Sequence, residues 1–178
     1  MSARRILMTA DGLRLAISRM AHEIAERDAG AERLLIVGVQ AGGIHLAARL
    51  AQELQQWRGQ PLIAGQLDVS MHRDDLSQRP APAIRPTNLP GDVQGATVVL
   101  VDDVLFSGRT VRAALDALHD FGRPERVRLA VLVDRLGHRQ VPIQADYVAR
   151  KVESLPGQRV EVMWSEDGSE DGVFLNQP

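Results

Sequence analysis

Two adjacent carboxylates, Asp102 and Asp103, stand directly after a short β-branched apolar run, Val98 to Val101. Just beyond them, Ser107-Gly108-Arg109-Thr110 brings together two hydroxyls, a glycine and a cation. Paired carboxylates accept hydrogen bonds and bind hard cations, so they suit a sugar diol, directly or through Mg2+. A folding role explains them poorly, because each acid at the end of a buried strand costs free energy unless it is partnered. After the loop, Val111, Leu115 and Leu118 recur at helical spacing, and Gly122 with Pro124 closes that helix. Ser107 to Thr110 therefore lies at a helix N-terminus, where free backbone amides and the helix dipole favour an anion. The stretch predicts a ligand with paired hydroxyls and a phosphate beyond them.

Such a site needs a frame. A continuous rather than alternating apolar run is how a strand reads when both faces are covered, as in a parallel sheet between helices. Ligands in such sheets sit at the carboxyl ends of strands. Further strands are expected at Leu34 to Val39, Leu62 to Val69, Val127 to Val133, Tyr147 to Lys151 and Val160 to Trp164, with an acidic hairpin turn at Ser165 to Asp171. Leu13, Ile17, Met20 and Ile24 mark a helix from about Asp11 to Ala29. A second helix follows Gly42-Gly43, with Ile44, Leu46, Ala47, Leu50 and Leu54 inward. Alternating strands and helices imply an α/β fold with a mostly parallel central sheet. Residues 71–95 carry charges and prolines without periodicity, which predicts a long, flexible, functional loop. The turn Gln40-Ala41-Gly42-Gly43 also joins a strand to a helix and offers amides to a second anion.

Composition narrows the class. The chain has 178 residues, 44% hydrophobic and 25% charged, with a net charge of −2. That predicts one globular domain over 1–178 and excludes a nucleic-acid binder acting through bulk charge. There is no cysteine, hence no disulfide framework or thiolate metal site. No apolar stretch approaches a membrane span, and the first residues lack a signal-peptide core, so a cytoplasmic protein without a membrane partner is expected. Neither a GxGxxG opening nor a GK[ST] phosphate loop is present.

The run VVLVDDVLFSGRT, Val98 to Thr110, resembles the phosphoribosyl-pyrophosphate (PRPP) signature of type I phosphoribosyltransferases. With RDDL at Arg73 to Leu76, GRP at Gly122 to Pro124 and ADYV at Ala145 to Val148, the chain is similar to the PyrR family from about Arg19 onward. Members of that family are uracil phosphoribosyltransferases that also attenuate pyrimidine operons. The resemblance implies a type I phosphoribosyltransferase fold with a small hood from segments of 134–178. It implies PRPP on Asp102, Asp103, Phe106, Ser107, Gly108, Arg109 and Thr110, with Mg2+ held through PRPP and the two acids. Asp102, Asp103 and Arg73 would be catalytic, Arg73 reaching the phosphates from the loop. Gln40, Ala41, Gly42 and Gly43 would form the pyrophosphate loop, and Val133, Asp134 and Arg135 the base pocket. Leader mRNA would be met by Arg19, His22, Arg27, His138, Arg139, Arg150 and Lys151 on a homodimer or larger assembly.

This chain departs from the family pattern in places. Gln40, Ala41 and Gly42 stand where a basic residue and a Thr-Arg pair are usual, so positive charge is missing beside the phosphates. Gln144 replaces a basic residue in the RNA set, and Leu136 is expected to lengthen the turn before Gly137-His138-Arg139. Phe106 occupies a place where purine enzymes carry an acid; a phenyl ring cannot take a proton, which favours uracil over a purine. Three readings follow. One is an enzyme making UMP from uracil and PRPP that also regulates through RNA in response to UMP or UTP. Another is a nucleotide sensor and regulator with weak or no transferase activity, and a third is a phosphoribosyltransferase for another base.

Overall fold

In the computed structural model the described residues are 4–74 and 85–177. The chain runs β1 (Arg4–Met8), α1 (Ala10–Arg27), β2 (Leu34–Val39), α2 (Gly43–Arg58), β3 (Ala64–Leu67), a 3-10 turn (Ser70–His72), β4 (Thr97–Leu105), α3 (Arg109–His119), β5 (Arg126–Leu136), β6 (Tyr147–Glu153), β7 (Arg159–Met163) and β8 (Gly172–Asn176).

A five-stranded sheet in the order β3-β2-β4-β5-β6 forms the centre, and every pairing in it is parallel. Alternate residues of its strands feed two cores. Ile36, Val99, Val101, Ala130 and Leu132 meet the buried faces of α1 and α2 on one side. Val37, Val98, Leu100 and Val131 meet Val111, Ala114 and Leu118 of α3 on the other. That is why β2 and most of β4 read as unbroken apolar runs.

The helices begin as their sequences dictate. The Thr9 hydroxyl caps α1 by accepting from the Gly12 amide at 3.3 Å. Gly59, with φ of +65°, closes α2 in the left-handed conformation, which glycine adopts without a Cβ penalty.

The small hood is assembled differently from the expectation. Its antiparallel sheet has the order β1-β8-β7, so one of its three strands comes from the start of the chain. Arg4–Met8 was not legible as a strand, because its five residues begin with two arginines and show no alternation. Conversely, β6 pairs parallel with β5 and lies in the central sheet rather than in the hood. Leu136 does not lengthen a turn. It is the last residue of β5 and pairs with Glu153, so the extra residue extends the ladder. The expected strand over Leu62 to Val69 is shorter, Ala64–Leu67. Among the described residues no helix is long and apolar enough to cross a membrane.

Candidate active site

The site forms at the carboxyl end of β4. The strand does not stop at the acids. Its pairing with β5 passes from Asp102 opposite Val131 to Val104 opposite Val133. At this point the carboxylates take over backbone amides. Asp102 Oδ1 accepts from the Asp103 amide at 3.0 Å, and Asp103 Oδ1 from the Val104 amide at 2.7 Å. Asp102 is only 7% exposed. Burial pushes its carboxyl well above the usual range, the neighbouring charge of Asp103 pushes it further, and Arg73 opposes the rise. Asp103 is pushed up too, mainly by burial, with the Val104 amide opposing. Two adjoining acids so deprived of water demand a cation or hydroxyl donors.

The glycine turn after β2 is pressed against this pair. A Cβ on Gly42 would lie 2.4 Å from the Asp103 carboxyl, and one on Gly43 would lie 2.0 Å from the Val101 carbonyl oxygen. Only glycine permits that approach. Gln40 anchors the turn: its amide donates to the Leu67 carbonyl and its Nε2 to the Pro86 carbonyl, each at 3.0 Å. The Gln40–Ala41 peptide is cis. Gln40 Oε1 is buried and has no donor among the described residues.

Next to the acids a cavity of about 560 Å3 opens, lined by residues 104–111 together with Arg73, Asp74 and Asp102. Gly108, with φ of +86°, turns the chain into α3, so the amides that follow it face this space. The Arg109 guanidinium is held on both sides, by Asp74 and by Gln140 Oε1 at 2.7 Å. Arg73 lines the cavity. Asp75 and Leu76 of the RDDL stretch, and part of the loop expected over 71–95, fall outside the described residues.

Phe106 is 43% exposed at the cavity mouth. The Arg135 guanidinium lies 4.3 Å from its ring centroid and the His138 ring 4.9 Å away. Arg135 is buried, which pushes its pKa down; it donates to Ser154 Oγ and to the Gln158 carbonyl, both at 3.0 Å. Asp134 is buried and paired with Arg139, while the Val133 side chain belongs to the core.

The seven residues expected to meet RNA are not brought onto one face. Arg19, His22 and Arg27 lie on α1 beside β6, which carries Arg150 and Lys151. Arg19 donates to the Ala149 carbonyl at 2.7 Å, Arg27 pairs with Asp146, and Arg150 donates to the Leu7 carbonyl. His138 and Arg139 instead sit by the Phe106 end of the pocket. Reading the sequence missed Gln140 and Trp57, the latter 55% exposed and edge-on to the His22 ring at 4.5 Å. Nothing in the spacing of Gln140 marks it, and the contact of Trp57 with His22 joins two different helices, so it appears only in the fold.

A family model for the phosphoribosyl transferase domain matches residues 8–166. The chain is 50% identical over 171 residues to the bifunctional protein PyrR of Roseiflexus sp. (strain RS-1), covering 95% of this chain and 93% of that one. It is 42% identical to the protein of the same name from Bacillus pumilus (strain SAFR-032), covering 98% of both chains. Among solved structures, the hypoxanthine phosphoribosyltransferase of Trypanosoma cruzi superposes with a TM-score of 0.75 at 21% identity, covering 98% of this chain and 97% of that one. That likeness speaks for the fold alone. Fold and site thus define a type I phosphoribosyltransferase. Within that class the chain belongs to the PyrR family.

Proposed function

We propose that the protein transfers the phosphoribosyl group of PRPP to uracil, giving UMP and pyrophosphate, and that it regulates pyrimidine gene transcription by binding leader RNA in response to UMP or UTP. The observation that carries the transferase reading is the buried Asp102 with the part-buried Asp103 beside it, set between the glycine turn and the Ser107–Thr110 loop. The amides after Gly108, with the Ser107 and Thr110 hydroxyls, hold the 5′-phosphate. Asp102 and Asp103 accept the ribose hydroxyls. As pyrophosphate departs, positive charge grows on the ribose ring, and the fixed carboxylates stabilise it. Arg73 and the amides of Gly42 and Gly43 receive the leaving pyrophosphate.

Mg2+ fits this donor set. Among the described residues no three acidic or histidine side chains cluster to hold a metal by themselves, so Asp102 and Asp103 would share the ion with substrate oxygens. Held there by Asp102 and Asp103, the ion would supply neutralisation of charge on the pyrophosphate. Phe106 presents an apolar ring to the base and takes no proton, while Asp134 and Arg135 line the far side of the base pocket. Arg19, His22, Arg27, Arg150 and Lys151 form the basic flank that meets RNA phosphates. The protein acts in the cytoplasm as a homodimer or larger assembly.

A specific observation favours a second reading, a sensor with weak turnover. The pyrophosphate turn carries no cation, and the buried Gln40 Oε1 has no donor among the described residues. Such a turn weakens leaving-group stabilisation more than UMP binding. Labelled uracil with PRPP and Mg2+ separates the two. Conversion to UMP supports the enzyme. UMP binding without conversion supports the sensor, and preferred use of guanine or hypoxanthine contradicts uracil specificity.

A further inference from the structure

We propose that Arg139 is a positioning residue of the nucleotide pocket, clamping the phosphate loop to the base pocket from behind. This rests on the transferase reading above. Each guanidinium nitrogen of Arg139 is already engaged. Nε donates to the Ile143 carbonyl at 3.0 Å, Nη1 to the carbonyls of Leu105 (3.4 Å) and Phe106, and Nη2 to Asp134 Oδ1. One planar fork therefore ties together the end of β4, the end of β5 and the chain leading to β6. Its side chain is 25% exposed and that of Asp134 9%, so the pair is screened from water. Four of its five guanidinium N–H groups are committed in this way, leaving one Nη2 hydrogen for any other partner.

The neighbouring residues extend the clamp along the same loop. The amides of Gln140 and Val141 both donate to the Ser107 carbonyl, at 2.9 and 3.3 Å. Consecutive carbonyls, Phe106 and Ser107, are thus gripped by consecutive residues, Arg139 and Gln140. Gly108 rests so closely on this segment that a Cβ would come within 2.8 Å of Val141 Cγ2. Gln140 Oε1 also accepts from Arg109 Nε. The carbonyls of Leu105, Phe106 and Ser107 point back into the clamp, so the amides beyond them are presented to the cavity. Preorganised donors of this kind bind without the cost of ordering a loop. Arg139 acts through Phe106, Ser107 and Asp134 and touches no substrate itself.

The test uses the full chain. Arg139→Ala and Arg139→Lys are assayed for UMP formation at varied PRPP and uracil, well below their melting temperatures, and titrated with UMP. The expected result for Arg139→Ala is a KM for PRPP and a Kd for UMP raised about 10- to 100-fold, with a smaller change in kcat. Arg139→Lys restores little, because a point charge cannot replace the fork. Unchanged KM and Kd in variants that merely melt earlier overturn the proposal, as does loss of RNA binding with KM and Kd intact. If neither variant folds, Asp134→Asn weakens one arm of the clamp, and an unchanged KM for uracil and Kd for UMP overturn it equally. A wild type that binds UMP without turnover refutes the transferase reading alone, and the UMP titration then decides for Arg139. A wild type that does not bind UMP overturns both.

Discussion

Gly42 and Asp103 occupy each other's space to the point where a Cβ at residue 42 would stand 2.4 Å from the Asp103 carboxyl. The glycine turn and the paired acids are therefore one construction, and the position of either sets the other. Gly42→Ala must push Asp103 off its place against the turn, or push the turn off β4. The expected outcome is a fall in kcat/KM for PRPP of at least about 100-fold, since misplacing reacting groups by about 1 Å costs on that order. Steady-state rates of UMP formation, read beside a thermal melt showing a folded protein, check it.

Arg49 on α2 donates to both carboxylate oxygens of Glu166, at 2.8 and 2.6 Å, and to both of Asp171, at 2.7 and 2.8 Å. These forks tie the turn between β7 and β8 to the helix that follows the glycine turn. They hold both acids below their ordinary values of 4.5 and 3.8. A lowered carboxyl pKa contributes stability that is present above the unfolded value and disappears as pH falls through the folded one. Wild type should thus lose stability relative to Arg49→Ala on going from pH 6 to about pH 3. At neutral pH the partly exposed forks are worth about 1 kcal/mol, so Arg49→Ala should melt about 2–4 °C lower. Melts across that pH range, with the gap closing in acid, check both.

Deep in the fold, Asp28 Oδ2 accepts from the Tyr147 hydroxyl at 2.7 Å, and Oδ1 from Arg128 Nε at 2.8 Å. Burial and the adjoining carboxylate push the tyrosine pKa up, so the phenol stays neutral in the fold. Tyr147→Phe removes one donor and leaves a buried carboxylate oxygen short of a partner, at a cost of about 1–3 kcal/mol. Denaturant melts should show that loss with an unchanged m-value, and UMP formation below the transition should be unaffected.

Trp57 is the exposed tryptophan of the chain, lying against His22, while Trp164 is buried. Its emission should therefore change when RNA arrives on the α1 flank. Arg19→Ala should weaken binding at all sequences alike and lower the slope of log K against log salt by about 1. A fluorescence titration at several salt concentrations measures both effects.

How much of this could be read in the chain depends on how local the cause is. Val98 to Thr110 was legible as strand, loop and helix because burial on both faces, a left-handed glycine and helical spacing each leave a local mark. The turn at Gly42-Gly43 was legible as backbone that must come close to something. What it comes close to, Asp103, is a contact between distant segments that no spacing encodes. Arg4–Met8 escaped notice because it becomes a strand only by pairing with Gly172–Asn176 at the other end of the chain. Arg139 has the same lesson. As a sequence it is a basic residue in a polar loop, and its commitment to four carbonyl and carboxylate groups appears only once β4, β5 and the following segment are assembled.

The central claim is that Asp102 and Asp103 hold a ribose whose bond to pyrophosphate is broken in this pocket. It is tested most directly by the rate of UMP formation from uracil, PRPP and Mg2+ by wild type and Asp103→Asn. The account predicts UMP from wild type and a loss of at least about 100-fold in the variant, the scale of removing a fixed electrostatic contact to a transition state. Equal rates for a folded Asp103→Asn, or no UMP from wild type, would contradict it.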